Sequence, residues 1–215
     1  MMDRGTPCER IRQVFGFEQF PEALFYQTDF ALRFDLGADL SMQHQLTPRF
    51  LQAMDRSRQV AAALFEGAER LTVVIRYSGD MEWRSGRRRT LLALARAGFR
   101  LPLGPVERLR NPYDDPEYPI MNNWHQIEIA NDPNLIAAVL WCVVAAEMPI
   151  SPKGGMGLFD AYIVDFDAGA ALHVYDDRGM DVIATTRDVL RPLYERFGDW
   201  LLHWDRPQMD EAFAS

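Results

Sequence analysis

Between residues 161 and 184 the chain reads AYIVDF, ALHVY and VIA, three short apolar runs parted by Asp167-Ala168-Gly169 and Asp177-Arg178-Gly179. Tight Asp–Gly turns leave no length for a crossover, so the runs must pair as antiparallel neighbours. A chain carrying this meander is neither a helical bundle nor a doubly wound parallel fold.

The remaining segments fit around it. Phe30, Leu32, Phe34 and Leu36 alternate with Ala31, Arg33 and Asp35, predicting a strand within Leu24–Leu36 whose first residues form the opening arm of a hairpin. LTVVIRY (71–77) and WHQIEI (124–129) are further strands. Helices are predicted from Glu9 to Phe15, from an N-cap at Thr47 to Phe65, from Arg87 to Ala97, from Asp132-Pro133 to about Glu147, and from Thr186 to Phe197, with a last short one after Asp205. Five prolines between Leu101 and Asn123 predict an irregular loop over 101–123. Helices grouped between hairpin strands give a single α+β domain over 1–215, a mainly antiparallel sheet with flanking helices.

The length, with 48% apolar and 25% charged residues, is that of an ordinary globular domain. The longest apolar run, Leu135 to Ala146, is too short to span a bilayer, and the N-terminus has no apolar leader core, so a cytoplasmic protein is expected. Cys8 and Cys142 are too far apart for a redox or ligand motif. The formal net charge of −8 disfavours direct contact with nucleic acid or an anionic membrane. That charge is uneven. Residues 1–110 hold 17 basic and 13 acidic side chains, a net of +4, whereas residues 111–215 hold 6 and 18, a net of −12. Either the halves cancel where they fold together, or the second carries an acidic recognition surface.

Candidate chemical motifs are weak. No two of His44, His125, His173 and His203 lie four residues apart, which leaves only a composite metal site such as His125, His173 and Asp176, and none is expected. Lys153-Gly154-Gly155-Met156-Gly157 lacks the spacing of a phosphate loop. Asp114-Asp115, Asp165 with Asp167, Asp176-Asp177 and Asp181 could do acid–base work or hold Mg²⁺, but such residues also favour strand ends and turns. Neither a catalytic residue nor a cofactor is expected. Arg84, Arg87, Arg88 and Arg89 form a basic cluster suited to internal or inter-subunit ion pairs.

The run AYIVDFDAGAALHVYDDRGMDVIA, followed by LRPLYERFGDWLLHWDRPQMDEAF, resembles the bacterial family catalogued as domain of unknown function 3885. Its signature is the segment Tyr175-Asp176-Asp177-Arg178-Gly179-Met180-Asp181, then Leu193-Tyr194 and a Trp-Leu-Leu-x-x-Asp-Arg stretch. LFYQTDFALRFDLG and LWCVVAAEM are similar to earlier parts of that family. The resemblance carries no reaction. It implies a small acidic immunity protein that binds a type VI secretion antibacterial nuclease, as a one-to-one complex with a basic toxin domain. Within the signature, Asp176, Asp177, Arg178, Gly179 and Asp181 read as a structural turn. Toxin contacts are expected at Tyr113, Asp114, Asp115, Glu117, Tyr118, Trp124, Asp165 and Asp167, which combine acid with aromatic anchors. The alternatives are a metal-dependent hydrolase using the aspartates and a module that self-associates through Arg84–Arg89.

Overall fold

The computed structural model describes residues 5–37, 45–78, 92–98, 107–112, 117, 120–153 and 160–213. Its centre is an antiparallel sheet of β1 (Ala31–Asp35), β2 (Arg70–Ser78), β3 (Glu107–Arg110), β4 (Met121–Ala130), β5 (Asp160–Asp165), β6 (Ala170–Val174) and β7 (Gly179–Ala184). These stand in the order β1-β7-β6-β5-β2-β4-β3. Around them lie α1 (Pro7–Phe15), α2 (Leu46–Leu64), α3 (Pro133–Val144), α4 (Arg187–Arg196) and α5 (Arg206–Phe213). The α+β architecture in one domain is as the sequence implies.

Local chemistry explains most boundaries. Thr6 and Glu9 form a reciprocal capping box on α1, and Gly16 ends it at φ 78°, a left-handed conformation that favours glycine. Asp132 caps α3 by accepting from the Asn134 amide. Asp165 accepts from the amides of Asp167 and Ala168 at 3.0 Å each, and Gly169 takes φ 64°, which closes the β5–β6 turn.

Three expectations are corrected. Residues Leu24–Gln27 form a 3₁₀ turn, not a hairpin arm, because the Phe25 amide donates to a buried carboxylate and leaves the strand direction. The helix expected from Thr47 begins at Leu46 after Gln45, so Thr47 lies inside it. Within the supposed irregular loop 101–123, β3 pairs with the start of β4, Glu107 opposite Trp124 and Arg110 opposite Met121. An edge strand needs pairing on one side only, so the surrounding prolines do not prevent it.

Register divides the sheet into two unlike faces. Val73, Ile75, Ile163, Leu172, Val182 and Leu32 share one face and are all buried. Helices α2, α3 and α4 pack over this apolar side. The other face carries Arg76 and Asp160 in one row and Tyr162, His173, Asp181 and Arg33 in the next. Residues from α1 to Gln27 lie across it: Arg10 reaches Thr72 and Gln126, and the Phe20 ring stacks on Tyr162 at 4.7 Å. One face is oil and the other is ionic.

Candidate functional site

The polar face begins at Asp181, which is fully buried. Its carboxylate receives Arg33 Nε at 2.7 Å and Nη2 at 3.0 Å, and the Phe25 amide at 3.1 Å. Arg33 Nη1 turns to the Tyr26 hydroxyl at 2.9 Å and to Asp205 at 3.3 Å, and Tyr26 itself donates to Asp205 at 3.1 Å. One guanidinium thus faces two carboxylates, leaving a formal charge of −1 beneath Tyr26. Three distant stretches of chain meet there.

The neighbouring row holds Arg76 against Asp160 at 2.7 Å, with His173 Nε2 at 3.4 Å from the same carboxylate. Burial disfavours the Asp160 charge, but His173 and Arg76 outweigh it and hold the carboxyl at about 2, below its ordinary 3.8. Stability from this lowered value is therefore complete above pH 4 and is lost as pH falls towards 2. The loss is roughly 2 kcal/mol. Asp160→Asn should flatten acid unfolding in that window, read by circular dichroism; an unchanged acid limb would assign the loss to other carboxylates.

Arginine, carboxylate, imidazole and phenol together could move protons, but the access is wrong for a substrate. Arg76, Tyr162 and His173 are buried, and Phe20 stacks directly over Tyr162. The chemistry lies beneath the N-terminal segment. It ties that segment to the sheet.

The signature turn is likewise structural. Asp176 accepts from the Arg178 amide at 2.7 Å and pairs with its guanidinium, while Asp177 pairs with Arg49 of α2. The Arg178 carbonyl receives the amides of Leu36 and Gly37 at 2.8 and 3.0 Å, joining the turn to the end of β1. A Cβ on Gly179 would collide with the Tyr175 ring and its hydroxyl, so the ring occupies the space the missing side chain leaves. Asp181 does not serve the turn at all; it serves Arg33.

Other expected site residues are scattered. Glu117 and Asp167 are exposed, and Asp165 is occupied by its own turn amides. Trp124 is fully buried, donating its indole N–H to Gln19 at 3.3 Å, so it is a core side chain and no surface anchor. Tyr113, Asp114, Asp115 and Tyr118 lie outside the described residues, as do Arg84, Arg87, Arg88, Arg89 and Gly154–Gly157. Lys153 donates to the Met148 carbonyl at 2.7 Å.

His125 pairs opposite Ile75, whereas His173 pairs with Tyr162 opposite Val74, so the two imidazoles point to opposite faces. No composite site with Asp176 can form. Among the described residues no group of three or more His, Cys, Asp or Glu could hold a metal ion. Both cysteines are buried, and burial alone pushes the Cys142 thiol up to about 12.

What the sequence does not reveal is that two aromatic residues far apart in the chain are exposed. Trp204 is 85% exposed and Tyr26 51% exposed. Trp204 immediately precedes Asp205, the carboxylate that takes the Tyr26 hydroxyl. Alternation marks only periodic apolar positions, and an aromatic in a 3₁₀ turn carries no such signal.

These features define an α+β domain whose antiparallel sheet has helices on its apolar face and an N-terminal strap over its ionic one. The chain belongs to the family described as Domain of unknown function (DUF3885), which it matches over residues 8–205. It is also similar to the "Uncharacterized protein YnaE" of Bacillus subtilis (strain 168), 38% identical over 58 residues, 26% of this chain and 27% of that protein. The chain thus spans about a quarter of that relative's length. No solved structure matches it. No helix of the described residues is long and apolar enough to cross a membrane.

Proposed function

We propose that the protein is an immunity protein: it binds a secreted antibacterial nuclease toxin of basic charge, one to one, in the cytoplasm of the producing cell, and neutralises it without chemistry of its own. The observation that carries this reading is the sign of the charge that the second half exposes to water. Arg33, Arg49 and Arg76 from the first half are spent on Asp181, Asp205, Asp177 and Asp160 of the second. Among the described residues from 111 onward, seven exposed acids then stand against three exposed cations, Lys153, Arg178 and Arg196. The buried acids cancel internally, and the exposed ones remain.

A nuclease must be basic to hold a polyanion, so an acidic partner associates with it quickly and competes with its substrate. The test is to mix the protein with the toxin domain encoded beside its gene. A complex is expected at low salt, with association slowing steeply as salt rises and nuclease activity lost at equimolar protein. No complex at low salt, with the toxin fully active, would refute the proposal.

A further inference from the structure

We infer that the groove between the Tyr26–Asp29 segment and α5, joined by the exposed Trp204 two residues ahead of that helix in sequence, is a docking site for an arginine-bearing segment of a basic protein; this deepens the immunity reading and rests on it for the partner's identity. The open groove offers about 490 Å³ and is lined by Tyr26, Thr28, Asp29, Gln208 and Glu211, with Gln27 and Ala212 between them. Asp29 and Glu211 are both exposed, and the described lining contains no cation.

Beneath the wall the charge has the same sign. Arg33 stacks under Tyr26, its guanidinium 4.6 Å from the ring centroid, yet it is outnumbered by Asp181 and Asp205. A second cation entering the groove would meet two free carboxylates and a net negative base. Trp204 adjoins Asp205 in sequence and is exposed, and its indole is the aromatic partner assigned to the same visitor. Arginine suits this better than lysine, because a planar guanidinium can stack on the ring and still bond a carboxylate through its edge. An indole exposed to 85% of its surface also gains most by being covered.

The experiment uses two probes on the full chain: a capped hexa-arginine peptide, with hexa-lysine beside it, and the toxin domain encoded next to the gene. Acrylamide quenching of tryptophan fluorescence should fall when hexa-arginine binds, and Trp204→Phe should remove that response. Asp29→Lys with Glu211→Lys should weaken hexa-arginine about tenfold, and Trp204→Ala about fivefold. Asp167→Lys with Glu195→Lys changes the net charge equally and should weaken it no more than about twofold. Hexa-lysine should bind several-fold more weakly than hexa-arginine.

Equal losses in the two charge-reversed pairs would reduce the effect to net charge and overturn the groove. So would unchanged binding in Trp204→Ala and in the groove pair. The toxin arm separates the two proposals. A toxin held equally well by wild type and by the groove variants defeats the groove and leaves the immunity reading standing. A toxin that wild type neither binds nor inhibits defeats the immunity reading, while the peptide arm still decides the groove. Circular dichroism confirms that each variant is folded.

Discussion

Asp181→Ala should lower the thermal midpoint by about 10 °C, or abolish soluble expression. Removing one partner of a buried, hydrogen-bonded ion pair costs about 3–5 kcal/mol, because the survivor keeps its desolvation cost without its compensation. In a chain of this size each kcal/mol shifts the midpoint by roughly 2–4 °C. Here the carboxylate is fully buried and holds Arg33 with two bonds and the Phe25 amide with a third. Asp181→Asn keeps an oxygen for the amide but loses the charge, so it should fall between wild type and alanine. Differential scanning calorimetry reads the series. A midpoint unmoved in Asp181→Ala would mean that Asp205 alone balances Arg33.

Trp124→Ala should cost about 3–5 kcal/mol in chemical denaturation, the usual consequence of emptying a large core site. The side chain is sealed between β3, β2 and the strap, with Tyr162 at 6.0 Å and Gln19 on its nitrogen. Trp204→Ala, by contrast, should change stability by less than about 0.5 kcal/mol, since it removes an indole that already faces water. The pair of variants sorts the two tryptophans into core and surface by one measurement. A Trp124→Ala protein of normal stability that failed only in partner binding would restore Trp124 as an interface anchor.

This exchange of roles shows what a linear reading can reach. The meander was legible because Asp167-Ala168-Gly169 and Asp177-Arg178-Gly179 are local signals, settled within a few residues of the turn they make. Helix α3 was legible for the same reason, through Asp132-Pro133. The ionic face was not. Its members come from positions 33, 76, 160, 173, 181 and 205, and they meet only because the register sets His173 opposite Asp181 and Asp181 opposite Arg33. A one-residue slip in any pairing would turn that row to the other face. Trp124 misled because WHQIEI alternates whichever face its tryptophan takes. Strand β3 was hidden by prolines that flank it, in a segment whose partner lies eleven or more positions on.

The outer edge of β1 is closed by the chain's own later residues: Phe34 bridges Leu201, and the Leu202 amide donates to the Arg33 carbonyl at 2.8 Å. Arg33 and Asp205 complete the same seam across 172 positions of sequence. Such a contact sets a timetable for birth on the ribosome. Residues 31–35 leave the exit tunnel long before 201–205 do, so the strand they form waits with its hydrogen-bonding edge bare until those later residues follow. A message truncated after residue 200 would yield a chain with its sheet largely specified and its border unguarded, able to pair with any extended neighbour. Residues 201–205 therefore act as a cap that reaches the strand it protects only once the 172 positions separating Asp205 from Arg33 have followed.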